Sequence, residues 1–318
     1  MKKILMLGTG GTIACVPSAD GLAPELDGAA MVRMAPELAG LCAIDHQQIL
    51  NLDSSNIAPR HWQVIARAIA ENYQQYDGFV ITHGTDTMAY SAAALSLMVE
   101  NCNKPVVFTG AQLPAGAPGT DARDNIYHAF LTAVSNVKGV VLTFGNVVIH
   151  GRFAKKLCSE NFNGFGSINR KPLATIENHR LQWEAAEPQG AGTGNGAFAV
   201  RPELEEKVAA VKITPGLSSD VLNYYLEQGY RGIVLEGFGA GGVPNGENNW
   251  LPMVEKLIHH GVRVVCATQC VYDGVDLTKY PIGVLAERLG AESAGQATVE
   301  AALTRLMWEL AHEQTDMV

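Results

Sequence analysis

The sequence predicts an α/β fold in two parts: a larger N-terminal domain with a mainly parallel sheet covered by helices, and a smaller C-terminal α/β domain. Three observations carry this expectation. Short apolar runs alternate with amphipathic stretches in the βαβ manner. The runs are continuously apolar, as strands are when helices cover both faces of a parallel sheet. The rhythm breaks once, in Glu187–Glu203, where Gly190, Gly192, Gly194 and Gly196 alternate with small residues between Pro188 and Pro202, and then resumes.

The first element is the strand Lys3–Leu7. Its run Ile4-Leu5-Met6-Leu7 follows Lys2-Lys3 but is too short for the apolar part of a secretory signal. Further strands are expected at Gly78–Thr82, Pro105–Thr109 and Gly139–Phe144. Between them, Arg60–Tyr76 places Trp62, Ile65, Ile69 and Tyr73 at helical spacing, with Pro59 suited to the first turn. Thr87–Glu100 is rich in Ala, Leu and Met, and Arg123–Asn136 carries Ile126, Phe130, Leu131 and Val134, so both read as helices. The glycine-rich break reads as a flexible linker over 189–206, separating a catalytic domain 1–188 from a domain 207–318. Beyond it the order is strand Val208–Ile213, helix Ser219–Gln228, strand Gly232–Glu236, helix Trp250–His260, strand Val262–Thr268 and helix Thr298–Glu313. In open α/β sheets the loops after the strands carry function, because they converge at one edge.

Composition narrows the function. A chain of 318 residues buries a large core, and 47% hydrophobic against 17% charged residues is not the composition of a disordered chain. With 32 acidic against 23 basic residues the net charge is −9, which argues against nucleic acid and leaves small zwitterionic or cationic ligands open. No stretch approaches a membrane span, so no membrane partner is expected. The cysteines at 15, 42, 102, 158, 266 and 270 show no Cys-x-x-Cys pair, and reduced thiols in the cytoplasm are the expectation. Cys266 and Cys270 fit metal ligation by count alone, but no His stands near them in sequence.

Four runs hold the chemistry. Gly8-Thr9-Gly10-Gly11-Thr12-Ile13 follows a strand as a dinucleotide fingerprint would, but Ile13 stands where close packing wants Gly or Ala, and no Gly-Lys pair exists for a phosphate loop. The turn therefore reads either as a plain tight turn or as a mount for the hydroxyl of Thr12. Asp53-Ser54-Ser55-Asn56 precedes the helix at Pro59, where such residues cap a helix and its N–H groups also suit a ligand carboxylate. Thr82-His83-Gly84-Thr85-Asp86-Thr87 crowds polar groups after a buried strand, with an N-cap and an acidic first turn as the bland alternative. A lone buried histidine such as His83 is more often a hydrogen-bonded core residue than a base. His150-Gly151-Arg152 leads to Lys155 and Lys156. Surface lysine is the default, whereas a lysine buried beside a hydroxyl releases its proton more readily and serves as a base.

Taken together, Gly10–Ala14, Asp53–Asn56, Thr82–Tyr90, Thr109–Pro114 and His150–Lys156 resemble the bacterial-type L-asparaginase family, most nearly its cytoplasmic type I branch. The resemblance spans essentially the whole chain, including Thr214-Pro215-Gly216, Ala267-Thr268-Gln269-Cys270 and Thr298-Val299-Glu300-Ala301. It implies a hydrolase that converts L-asparagine to L-aspartate and ammonia through a threonine-linked acyl-enzyme, without metal or organic cofactor. It implies Thr12 as nucleophile and Thr85, Asp86 and Lys156 as the second catalytic group. Lys156 is preferred to Lys155 because the family lysine stands five positions after the glycine of Gly-Arg, and 151 plus 5 is 156. Substrate contacts are implied for Gly11, Ser54, Ser55, Thr85, Asp86 and Ala111, with Ser54 on the α-carboxylate and Asp86 on the α-amino group. A homodimer or homotetramer is implied as well.

A threonine hydroxyl is a poor nucleophile until a base takes its proton, and a Thr–Lys pair with an orienting carboxylate supplies one. Backbone N–H groups at the Gly10–Thr12 turn or at the start of the Thr85 helix suit the oxyanion. Three departures from the family stand out. Members carry a tyrosine in the loop after the first threonine, where this chain has Leu22 and no tyrosine before Tyr73. Phe238-Gly239-Ala240-Gly241-Gly242 has glycine where members place an asparagine reaching a neighbouring subunit, and Glu236 stands where regulated type I members carry arginine. A glutaminase or other small-amide hydrolase, and a catalytically weakened amino-acid-binding protein, remain the alternatives. The family's tRNA-dependent amidotransferase subunit is less expected, because it carries an additional N-terminal domain and this sequence opens on the first strand.

Overall fold

The computed structural model describes residues 1–18, 21–24, 28–186 and 188–313, with backbone alone at 16–18 and 21–24. The chain divides into two units, Met1–Pro202 and Glu203–Val318.

The first unit opens on β1 (Lys3–Gly10), followed by a hairpin of β2 (Cys15–Ser18) and β3 (Gly21–Pro24), a short helix α1 (Gly28–Arg33) and β4 (Ala43–Leu52). Then come α2 (Pro59–Asn72), β5 (Gly78–Thr82), α3 (Met88–Met98), β6 (Val99–Glu100), β7 (Pro105–Thr109), α4 (Ala122–Ala133) and β8 (Gly139–Phe144). The unit ends on β9 (Val147–His150), β10 (Ala154–Lys156), β11 (Phe165–Ser167), β12 (Ala174–Glu177), β13 (Arg180–Trp183) and β14 (Ala199–Val200). An eight-stranded sheet runs in the order β13-β12-β9-β8-β7-β5-β1-β4. Pairing is parallel from β4 to β8 and antiparallel from β8 to β13.

Register explains both the core and the functional edge. Met6 pairs with Val80, Val80 with Val107 and Val107 with Val141, a row that packs with Ile126, Ala129 and Phe130 of α4. Their neighbours Leu7, Ile81, Phe108 and Leu142 form the next row, pointing to the opposite face and also fully buried. The expected strands over 78–82, 105–109 and 139–144 are matched residue for residue, because both of their faces are covered. At one edge Gly8 pairs with Thr82 and Thr82 with Thr109, so the loops leaving β1, β5 and β7 emerge side by side.

Helix α2 begins at Pro59, and its boundary is closed by the Ala58 N–H donating to His61 Nδ1 at 3.0 Å. Trp62, Ile65 and Ile69 form its buried stripe. Helix α3 is buried nearly all round, in keeping with its run of Ala and Leu.

The stretch expected to be a flexible linker is instead bound to the first unit through residue 200. Gly190 N–H donates to Lys138 O at 2.7 Å, Val140 N–H to Ala191 O at 2.7 Å and Cys102 N–H to Gly192 O at 2.8 Å. The Phe198 ring stacks on Tyr73 with centroids 3.5 Å apart, and β14 pairs with β6. Glycine-rich composition signals freedom only where the backbone stays solvated. Here its polar groups are spent on the sheet, and the unit boundary falls at Pro202.

The second unit holds β15 (Val208–Lys212), α5 (Val221–Glu227), β16 (Gly232–Gly237), α6 (Leu251–His259), β17 (Arg263–Thr268), α7 (Pro281–Arg288), β18 (Glu292–Ser293) and α8 (Val299–His312). Its four-stranded sheet, β15-β16-β17-β18, is parallel throughout. Thr298 caps α8 by accepting the Ala301 N–H at 3.2 Å. Among the described residues, no helix is long and apolar enough to cross a membrane.

Candidate active site

Three loops of the first unit meet at the functional edge. After β1 the chain turns through Gly10 and Gly11 (φ 101° and 81°), in the left-handed region where an L side chain is strained. The Gly11 N–H donates to Leu52 O at 2.9 Å, which ties the turn to the end of β4. On its other side Gly11 lies against the loop after β5, and a Cβ there would stand 2.2 Å from the Gly84 nitrogen. A Cβ on Gly84 would in turn stand 2.6 Å from Ser54 Oγ, and Thr87 Oγ1 donates to Ser54 O at 2.7 Å. The sequence motifs around Gly11, Ser54 and Thr85 are thus packed together, Gly11 and Gly84 backbone to backbone and Ser54 through side-chain contacts.

Thr12, partly exposed, begins a short 3₁₀ turn (Thr12–Ala14). Ala14 N–H donates to Gly11 O at 3.0 Å, and the Cys15 thiol donates to the same oxygen at 3.4 Å. Burial pushes that thiol's pKa up, with the Asp53 carboxylate adding to the effect.

Lys156 closes the other side. Its ammonium donates to Thr85 Oγ1 at 2.7 Å and to Asp86 Oδ1 at 2.6 Å. The lysine side chain is 19% exposed and that of Asp86 64%, so the pair spans from interior to solvent. Strand alternation sends Lys155 to the opposite face of β10. The β10–β11 hairpin is anchored by Phe165, the cross-strand partner of Lys156, whose ring packs on Phe144 at 5.0 Å.

Sequence reasoning missed Gln112. Its Oε1 receives a long 3.4 Å hydrogen bond from Thr85 Oγ1, while its Nε2 donates to Cys158 O and Asn161 O, each at 3.1 Å. Its backbone N–H and that of Leu113 donate to the buried Asp121 carboxylate, which also receives Asn125 Nδ2 at 2.9 Å. The available signal was position: Gln112 directly follows Ala111 in the loop after β7.

The remaining candidates are placed as follows. Ser54 is buried, 4% exposed, at the head of a 3₁₀ turn. Ser55 is exposed and donates both its N–H (2.8 Å) and its hydroxyl (2.6 Å) to Asp53 Oδ1, bonds that hold the Asp53 carboxyl below its usual pKa. The Ala111 side chain belongs to the hydrophobic core, so only its main chain is available to a ligand. His83 is fully buried, as expected of a core histidine, and burial lowers its pKa to about 4. The Leu22 side chain lies outside the described residues. In the second unit Phe238, Gly239, Ala240 and Gly242 line a cavity of about 460 Å³. The Glu236 carbonyl there accepts the Ile213 N–H and Gln269 Nε2.

This arrangement offers a hydroxyl on a glycine turn and a hydroxyl–ammonium–carboxylate trio. The family profile described as "Asparaginase, N-terminal" matches residues 3–189, and "Glutaminase/Asparaginase C-terminal domain" matches residues 207–317. The L-asparaginase of Thermococcus kodakarensis is 40% identical over 315 residues, covering 98% of this chain and 93% of that protein. The solved structure of the thermostable L-asparaginase from the same organism aligns with a TM-score of 0.90, covering 98% of this chain and 93% of that one. L-asparaginase 1 of Escherichia coli is 35% identical over 322 residues, covering 98% and 93%. A glutamyl-tRNA(Gln) amidotransferase component from Pyrococcus abyssi is 32% identical over 330 residues, covering 99% of this chain and 73% of that protein.

Proposed function

Because the chain belongs to the asparaginase family and is an amidohydrolase of it, we propose that it hydrolyses L-asparagine to L-aspartate and ammonia through an acyl-enzyme on Thr12. The observation that carries this reading is Lys156, bonded at once to Thr85 Oγ1 and Asp86 while Gly11 lies against Gly84. Thr12 and Thr85 thus leave a shared point of backbone contact. Thr12 Oγ attacks the side-chain carboxamide as Lys156, reacting as the neutral amine, takes the Thr85 hydroxyl proton and Thr85 takes that of Thr12. The proton then passes from Lys156 back through Thr85 to the departing nitrogen, which leaves as ammonia. Water then attacks the ester, and its proton returns to the Thr12 oxygen by the same route, so the relay ends each cycle unchanged.

The carboxamide oxygen becomes an oxyanion in both steps. The Gly11 N–H is already committed to Leu52 O, which leaves the Thr12 and Thr85 N–H groups to receive that charge. Asp86, largely exposed, suits the substrate's α-amino group, and Ser54 and Ser55 its α-carboxylate. The residues around this centre call for no metal or cofactor in either step. We assign the protein to the cytoplasm as a homodimer or homotetramer, which light scattering on the purified chain tests directly.

The second reading is a glutaminase, favoured by the similarity to the amidotransferase component. Steady-state ammonia release from asparagine and glutamine, compared as kcat/KM, separates the two. Preference for asparagine supports the proposal, and equal or better rates on glutamine overturn it.

A further inference from the structure

We propose that His83 is a positioning residue: by donating a hydrogen bond to the Gly84 carbonyl, it strengthens the Thr85 N–H as donor to the oxyanion. The inference rests on the amide-hydrolysis reading above and assigns a role to a buried group that the proton relay leaves unused.

The directions of the hydrogen bonds follow from elementary chemistry. His83 Nδ1 lies 2.7 Å from Gly84 O, and a carbonyl only accepts, so Nδ1 carries the proton. The imidazole is fully buried, and burial keeps it neutral, so Nε2 bears a lone pair. Ser91 Oγ, 2.8 Å away, must then donate to Nε2. Its oxygen in turn accepts the Trp62 indole N–H at 2.9 Å. Trp62, Ser91 and His83 thus form a one-way chain of donors ending on a single carbonyl, with every member buried.

Gly84 O and the Thr85 N–H are the two ends of one peptide group. A donor on the oxygen draws electron density through the amide and makes its N–H a stronger donor, and hydrogen bonds in series reinforce one another. Among the described residues no backbone carbonyl takes the Thr85 N–H. The same bond also fixes the peptide plane, since Gly84 has Gly11 on one side and Ser54 on the other. His83 touches neither substrate nor the reacting atoms in this scheme and acts only through Gly84.

A purely structural imidazole, packed edge-on to Phe108, would predict a different pattern: any replacement would lose stability, and activity would follow stability. Two amide replacements separate the readings. In His83→Asn the side-chain amide overlies Nδ1 and can still donate to Gly84 O. In His83→Gln it overlies Nε2, keeping the Ser91 contact and losing the Gly84 one. With asparagine as substrate, kcat of His83→Asn is expected to exceed that of His83→Gln by about tenfold, less than the loss of a whole oxyanion donor. KM is expected to stay similar in both, with melting temperatures lowered alike. Equal kcat values, or a higher kcat in His83→Gln, overturn the inference. If either variant fails to fold, ¹⁵N shifts of the His83 imidazole in the unaltered protein decide. The Nδ1–H tautomer is expected, and the Nε2–H tautomer overturns the scheme. An unaltered protein that releases no ammonia from asparagine or glutamine would defeat the hydrolase reading, whereas the tautomer result bears on His83 alone.

Discussion

Gly11 and Gly84 touch backbone to backbone: a Cβ on the first would lie 2.2 Å from the nitrogen of the second. This contact joins the loop that carries Thr12 to the loop that carries Thr85. It gives the glycines after β1 a role in close approach.

Gly11→Ala is therefore expected to separate the two loops. At φ 81° the alanine is strained, and its methyl group must push Gly84 away. A displacement on that scale lowers kcat/KM by about 100-fold, measured as ammonia release, while the far-UV circular dichroism stays that of the parent. An active Gly11→Ala variant would show that the contact is dispensable.

Lys156→Met removes the ammonium that bonds Thr85 and Asp86 and is expected to lower kcat by about 10²- to 10⁴-fold. Lys155→Met, altering the opposite face of β10, should leave kcat near that of the parent. The reverse ranking in a steady-state assay would mean that the wrong lysine has been assigned.

Asp121 receives Gln112 N–H, Leu113 N–H and Asn125 Nδ2, so Asp121→Ala leaves two part-buried backbone donors without their acceptor and strips Asn125 Nδ2 of one of its two. The expected loss of stability is about 3 kcal/mol, read from urea midpoints. Gln112→Ala should act more locally, lowering kcat about fivefold with little change in melting temperature, because it loosens Thr85 from the Cys158–Asn161 segment.

Acid should weaken the fold before it protonates most carboxylates. Burial lowers the pKa of His83 to about 4, and burial aided by Arg152 and Arg170 does the same for His150. The folded chain therefore keeps these rings neutral where an unfolded histidine, with a pKa of about 6.5, takes up a proton. The stability tied to the neutral rings is complete above about pH 6.5 and is withdrawn as pH falls toward 4, by about 3 kcal/mol for His83 alone. Urea midpoints at pH 7, 5.5 and 4 check this, and a midpoint that rises on acidification contradicts it.

Much of this was legible in the sequence where burial left one solution. β5, β7 and β8 are apolar on both faces and match the expected strands residue for residue. β4 was not visible, because Asp45-His46-Gln47-Gln48 is an edge segment with no apolar face to report it. The antiparallel strands β12 and β13 and the helix α7 are short, and their pairing or packing depends on partners distant in sequence. At the site, the motif residues were readable one by one. Gln112 was not, since its role depends on carbonyls at 158 and 161. The glycine-rich stretch after Pro188 was misread for the complementary reason: composition does not show which strand edge its N–H groups will meet.

The central claim is that Thr12 and the Thr85–Lys156 pair work on one carboxamide. Acid quenching during turnover of asparagine, followed by peptide mass spectrometry, tests it most directly. An aspartyl adduct on the peptide bearing Thr12, absent in Thr12→Ala and much reduced in Thr85→Val with both variants folded, is the expected result. Full turnover with no adduct on that peptide, or an adduct carried by Thr85, would contradict it.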